Sequence, residues 1–130
     1  SPVCALKMTS DIDAGPIYTK KQLSLEGSLK EIFKNLNLSI NEMINELIFH
    51  LPNPKDQTGK TLIFKRLKKE DNELPKTLSI EEIFDRIRML DYENYPNTFI
   101  KHGEFKFEFY DAELIEGNII CTTKIVPNND

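Results

Sequence analysis

Apolar residues recur at helical spacing in some stretches of this chain and at alternate positions in others. The changes of spacing mark its elements. Val3 to Met8 reads as a short strand, and Thr9-Ser10-Asp11-Ile12-Asp13-Ala14-Gly15-Pro16 is a cluster of turn formers after it. Ile17 to Leu23 reads as a second strand. Ser28 then stands three residues before Glu31, with Leu29, Ile32, Phe33 and Leu36 behind it. Ser39 and Glu42 repeat the device ahead of Ile40, Met43, Ile44, Leu47, Ile48 and Leu51. Each Ser can accept a bond from the amide three residues on while the Glu reaches back, a capping box. The apolar positions follow i, i+3, i+4, i+7, so each stretch offers one stripe for burial. Either two helices meet near Asn37, or one helix carries an internal Ser.

Pro52-Asn53-Pro54 stops that helix, because proline lacks the amide and restricts the residue before it. Lys55 to Pro75 is polar apart from a β-like island, Thr61-Leu62-Ile63-Phe64. Ser79 and Glu82 form a third capping box, followed by one helical face of Ile80, Ile83, Phe84, Ile87 and Leu90. After Tyr95-Pro96 the period becomes two. Phe105, Phe107 and Phe109 alternate with Glu104, Lys106 and Glu108, as in a half-buried strand. Gly117-Asn118 marks a hairpin turn, and Ile119 to Val126 is the returning strand. The fold class predicted is α+β, with the Ile83 and Ile87 helix face packed on the Phe105, Phe107, Phe109 sheet face.

At 130 residues the chain has the length of one ordinary domain. Charged residues make up 29% and the net charge is −4, which disfavours a general nucleic-acid coat or a membrane-surface binder. No apolar run approaches the ~20 residues of a membrane span, and no signal-peptide pattern opens the sequence. Cys4 and Cys121 are expected to be buried reduced thiols, and cytoplasmic localisation is the expectation. His50 and His102 have no partner at metal spacing, so no metal site is expected. No Gly-rich phosphate loop is present either. The Phe stripe alternates with glutamates that would repel a phosphate backbone. Lys65-Arg66-Leu67-Lys68-Lys69 is the one local basic run, either a solvated loop or an anion contact.

The turn from Asp11 to Gly15 is the best functional candidate. It sets two acids, Asp11 and Asp13, between two apolar strands. Turn chemistry alone accounts for Asp and Gly there, but loops at strand ends also display catalytic acids.

At this loop the sequence resembles the folate-dependent formyltransferase family, which includes methionyl-tRNA formyltransferase and enzymes that formylate nucleotide-linked amino sugars. Met8 to Ile17 looks like the family's loop, a Met followed by an Asp-small-Gly signature and a strand. Leu23-Ser24-Leu25 and the helix after Ser28 resemble the next segment. Pro54, Gln57 and Gly59, then Phe64-Lys65-Arg66, resemble its Pro-x-x-Gln, Gly and Phe-Lys-Arg stretch. Ile87-Arg88-Met89-Leu90, Tyr95-Pro96 and Phe99 resemble its Ile-Arg-x-Leu and Tyr-Pro-x-x-Phe pattern.

The resemblance implies formyl transfer from 10-formyltetrahydrofolate to a primary amine, with no metal. The family uses an Asn, a His and an Asp, and its Asp maps to Asp13. The backbone of Thr9, Ser10, Asp11, Ile12 and Ala14 is implied as part of the pterin pocket. The family's Asn-x-His motif precedes this loop and has no counterpart here. The resemblance therefore implies a C-terminal fragment, inactive alone: residues 1–54 from the end of the catalytic domain and 55–130 as a small α+β unit. Residues 3–23 are then expected to fray or to pair with a second copy as a homodimer. The acidic balance favours a nucleotide-linked amino sugar over tRNA as acceptor, with Lys65 and Arg66 meeting its phosphates. A non-catalytic interaction module is the alternative from another class.

Overall fold

A computed structural model of the chain describes residues 1–128. The elements run β1 (Pro2–Leu6), β2 (Ile17–Gln22), α1 (Leu29–Phe49), a 3-10 turn (Lys69–Asn72), α2 (Ile80–Leu90), β3 (Thr98–His102), β4 (Phe105–Ile115) and β5 (Asn118–Pro127). The fold is α+β, with an antiparallel β1-β2 pair and an antiparallel sheet of order β3-β4-β5. The chain divides into two compact units. One is Ser1–Glu26 with Lys30–Phe64, and the other is Gly27–Leu29 with the chain from Lys65 onward.

In the first unit, β1 and β2 pair with each other from Pro2 opposite Gln22 to Leu6 opposite Ile17. The Ser1 ammonium donates to Leu23 O and Leu23 N donates to Ser1 O, which prolongs the ladder by one step. α1 is a single helix. No Pro or Gly interrupts residues 29–49, so Ser39 lies inside it and starts no second helix. Glu42, expected in a cap, instead receives Lys21 Nζ from β2 at 2.7 Å. One turn on, Thr19 Oγ1 donates to Glu46 Oε2 at 3.0 Å. Residues i and i+4 share a helix face, so these two bonds lay β2 along α1. Thr61 to Phe64 forms no strand and is exposed. Its composition suits a strand, but a strand needs a ladder partner, and no isolated bridge or strand pairing includes these residues.

In the second unit, the Ser79 box forms as read. Ser79 Oγ accepts from Glu82 N, and Glu82 Oε2 accepts from Ser79 N. α2 packs on the three-stranded sheet, with Ile87 only 2% exposed. Thr98, fully buried at the start of β3, donates its hydroxyl to Arg86 O at 2.9 Å and ties the sheet to the helix. Asn72, also buried, donates to Pro96 O at 2.6 Å. β3 itself was not distinguished in the sequence pattern. Phe107 and Phe109 are half-buried while Phe105 is exposed, so the Phe stripe is a half-covered face rather than a closed core. The turn between β4 and β5 is Glu116-Gly117, one residue earlier than read, with φ 50° and 77°. Two positive φ values in a two-residue loop give the twist that antiparallel strands need. Cys4 and Cys121 are free and half-buried.

Candidate functional site

The loop joining β1 to β2 is shaped by two constraints. Lys7 N donates to Pro16 O at 2.8 Å, which closes its base. Gly15 is buried there, and a Cβ on it would stand 1.8 Å from Lys7 O. Only glycine lets the two sides of the loop approach so closely. The residues between, from Met8 to Ala14, are pushed outward and exposed. Met8 and Ile12 are both 92% exposed, which sets apolar side chains beside the carboxylates of Asp11 and Asp13. The Thr9 hydroxyl donates to Asp11 O at 3.1 Å and folds the loop on itself.

Asp13 is held at φ 56°. That left-handed conformation is uncommon outside glycine, though Asp tolerates it better than most residues. Its neighbour in space is Gln57, whose Nε2 donates to Asp13 O at 2.7 Å and to Gly15 O at 2.8 Å. Gln57 reaches this position because Lys55 forms a bridge with Ile17. Ile17 N donates to Lys55 O at 2.7 Å, and Lys55 N donates to Ile17 O at 2.9 Å. The segment after α1 thereby becomes a short edge beside β2.

Two open clefts meet at this loop. One, of about 360 Å³, is lined by Leu6 to Asp13 and Gly15. The other, of about 800 Å³, runs between Ile12, Asp13 and Ala14 on one side and Gln57 to Phe64 on the other. Asp13 and Ile12 line both. The structure thus brings Thr9, Ser10, Asp11, Ile12, Asp13 and Ala14 together on one exposed rim. Lys65 and Arg66 belong to the second unit. There Lys65 Nζ lies 3.4 Å from Asp71 Oδ1, an exposed pair of small energetic weight. The Asp71 carboxyl is held below the ordinary aspartate range, first of all by the Lys68 backbone amide at 2.8 Å; desolvation opposes this, and Lys65 adds to the lowering. Arg66, Lys68 and Lys69 are exposed.

Among the described residues no group of three or more His, Cys, Asp or Glu side chains could hold a metal. Among them, too, no helix is long and apolar enough to cross a membrane. Gln57 was legible only as part of a Pro-x-x-Gln spacing. Its grip on the loop carries no local signal, since its partners lie 42 and 44 residues away.

A family model described as the C-terminal domain of methionyl-tRNA formyltransferase matches residues 69–126. Among solved structures, methionyl-tRNA formyltransferase from Clostridium thermocellum is 38% identical, with a TM-score of 0.91. That match covers 98% of this chain and 57% of the other, so the chain spans somewhat over half the length of that relative. A search of curated proteins finds no match. The first unit, with its loop, is included in the structural match, and the second is identified independently by the family model. Both comparisons thus make the chain similar to the C-terminal region of a formyltransferase.

Proposed function

We propose that this chain is part of an enzyme that transfers a formyl group from 10-formyltetrahydrofolate to a primary amine, with the aminoacyl group of methionyl-tRNA as acceptor. The observation that carries the reading is the 38% identity sustained over 98% of the chain to an enzyme of that name. The β1–β2 loop fits a folate donor in its chemistry. Its residues from Thr9 to Ala14 are exposed, and their polar backbone suits the hydrogen-bonding edge of a pterin. Met8 and Ile12 supply apolar flanks for a planar ring. When bound, 10-formyltetrahydrofolate supplies the formyl group.

The chain's own contribution is a positioned carboxylate. An ammonium group is not a nucleophile, so the acceptor amine must lose a proton as it reacts. Asp13 Oδ atoms, on the cleft rim, receive that proton or stabilise the cationic group that does. Asp11 lies on the same rim but outside the Gln57 contacts.

The charge balance favours a second reading of the acceptor. A net charge of −4 with one short basic run is a weak footprint for a polynucleotide, which leaves a nucleotide-linked amino sugar as the competing substrate. The intact enzyme, supplied with labelled formyl donor, should formylate charged initiator tRNA in preference to a panel of amino-sugar nucleotides. Formylation of a sugar alone would reverse the acceptor assignment. Labelling of neither would remove the enzymatic reading.

A further inference from the structure

We propose that Gln57 is a positioning residue for formyl transfer: its carboxamide sets the direction of the Asp13 carboxylate by clamping the loop on both sides of Ala14. The inference rests on the role given above to Asp13. Both partners of Gln57 Nε2 are carbonyl oxygens, at 2.7 and 2.8 Å, so the nitrogen end of the carboxamide must face them. A primary amide has two N–H donors on one atom, and here each has its own acceptor. With the carbonyls of Asp13 and Gly15 both held, the Asp13–Ala14 and Gly15–Pro16 peptide planes are no longer free to rotate.

Asp13 needs this hold. At φ 56° it occupies a left-handed conformation that is less favourable for an L-residue than the right-handed region. Without an external restraint, an exposed loop would relax toward negative φ. Rotation about the N–Cα bond carries the Cβ and the carboxylate with it, so relaxation would turn the acid away from its present place on the rim. Gln57 can restrain the loop because it is anchored elsewhere. Two residues earlier, Lys55 is bonded in both directions to Ile17, at 2.7 and 2.9 Å. The clamp is therefore registered to β2 and not to the loop it holds.

The residue type also fits. Lys or Arg could donate to the same carbonyls, but would place a cation beside Asp13 and alter its proton affinity. Glu has the right length and only acceptors, so it would set oxygen against oxygen. Asn is one methylene short. Glutamine alone combines length, two donors and no charge.

The test combines kinetics of the intact enzyme with spectroscopy of the 130-residue chain. Gln57→Glu and Gln57→Met should each lower kcat on the order of 10²-fold, the scale of a displaced catalytic group, with KM for the acceptor changed less than about twofold. The double variant Asp13→Asn with Gln57→Glu should be no slower than Asp13→Asn alone, because a clamp has nothing to position once its acid is gone. In the 130-residue chain, the amide resonances of Asp13, Ala14 and Gly15 should shift in both Gln57 variants, and those of β5 should not. Wild-type kcat in both Gln57 variants, or additive losses in the double variant, would overturn the proposal while leaving the role of Asp13 standing. An unimpaired Asp13→Asn enzyme would overturn that role and the proposal with it. Unchanged loop resonances would overturn the clamp independently of any activity.

Discussion

Replacing Gly15 by Ala puts a methyl carbon 1.8 Å from the carbonyl oxygen of Lys7. Restoring ordinary contact near 3.4 Å requires a movement of about 1.6 Å. The obstructing atom is backbone, so no rotamer change relieves it. Lys7 is tethered to Pro16 by a 2.8 Å hydrogen bond, and the adjoining Leu6 is paired with Ile17. Moving it loosens the last step of the β1-β2 ladder. Overpacking of this kind costs about 1–3 kcal/mol, and losing one backbone bond adds about 1 kcal/mol. We predict a total of roughly 2–4 kcal/mol, a large share of a typical domain's stability. Native-state hydrogen exchange is the suitable assay, since it reads the opening of β1 and β2 separately from the second unit. Gly117→Ala is the control. Nothing lies within 4 Å of its added carbon, and only its φ of 77° opposes the change, so about 1–2 kcal/mol is expected there. A Gly15→Ala chain losing less than ~0.5 kcal/mol in β1 and β2, well under the overpacking range, would show that the loop base yields freely. The close approach would then not explain this glycine.

Asp13→Asn in the intact enzyme is expected to lower turnover by roughly 10²–10⁴-fold, the range for a positioned acid–base group, and Asp11→Asn far less; equal small effects in steady-state kinetics would reduce the loop to a turn. Ile87→Ala, at a site 2% exposed, should cost about 2–5 kcal/mol in denaturant melts. Phe107→Ala should fall below the roughly 3–5 kcal/mol of a closed core site, because the ring is half-buried. Asp71 titrates below the ordinary aspartate range, so the unfolded chain takes up its proton more readily than the folded one. Its stabilisation is complete above the ordinary range and disappears as pH falls through the folded value. Urea melts below about pH 5 should show a shallower acid loss for Asp71→Asn than for wild type.

The cap at Ser79 was legible because all of its parts lie within four residues, and it forms as the pattern requires. The Ser39 pattern is the same in sequence and comes to nothing. There the helix continues, and Glu42 finds Lys21 on β2 instead. A local motif states what a side chain can do, and a competing partner 21 residues away decides what it does. The same limit hid β3. Its five residues carry no clear alternation, and their strand character comes from the ladder with β4. Thr61 to Phe64 shows the converse, a strand-like composition with no ladder to join.

At the candidate site, chain order and residue type were enough to mark the Asp11–Gly15 turn, because turn formers act within their own few residues. The left-handed Asp13, the buried approach of Gly15 to Lys7 and the grip of Gln57 required the folded chain. Each depends on atoms brought together by the pairing of β1 with β2 and of Lys55 with Ile17. Alternation and capping are properties of neighbours, so a one-dimensional pattern can record them. The direction of a carboxylate depends on the backbone beneath it, and that backbone is held by contacts which the order of residues does not encode locally.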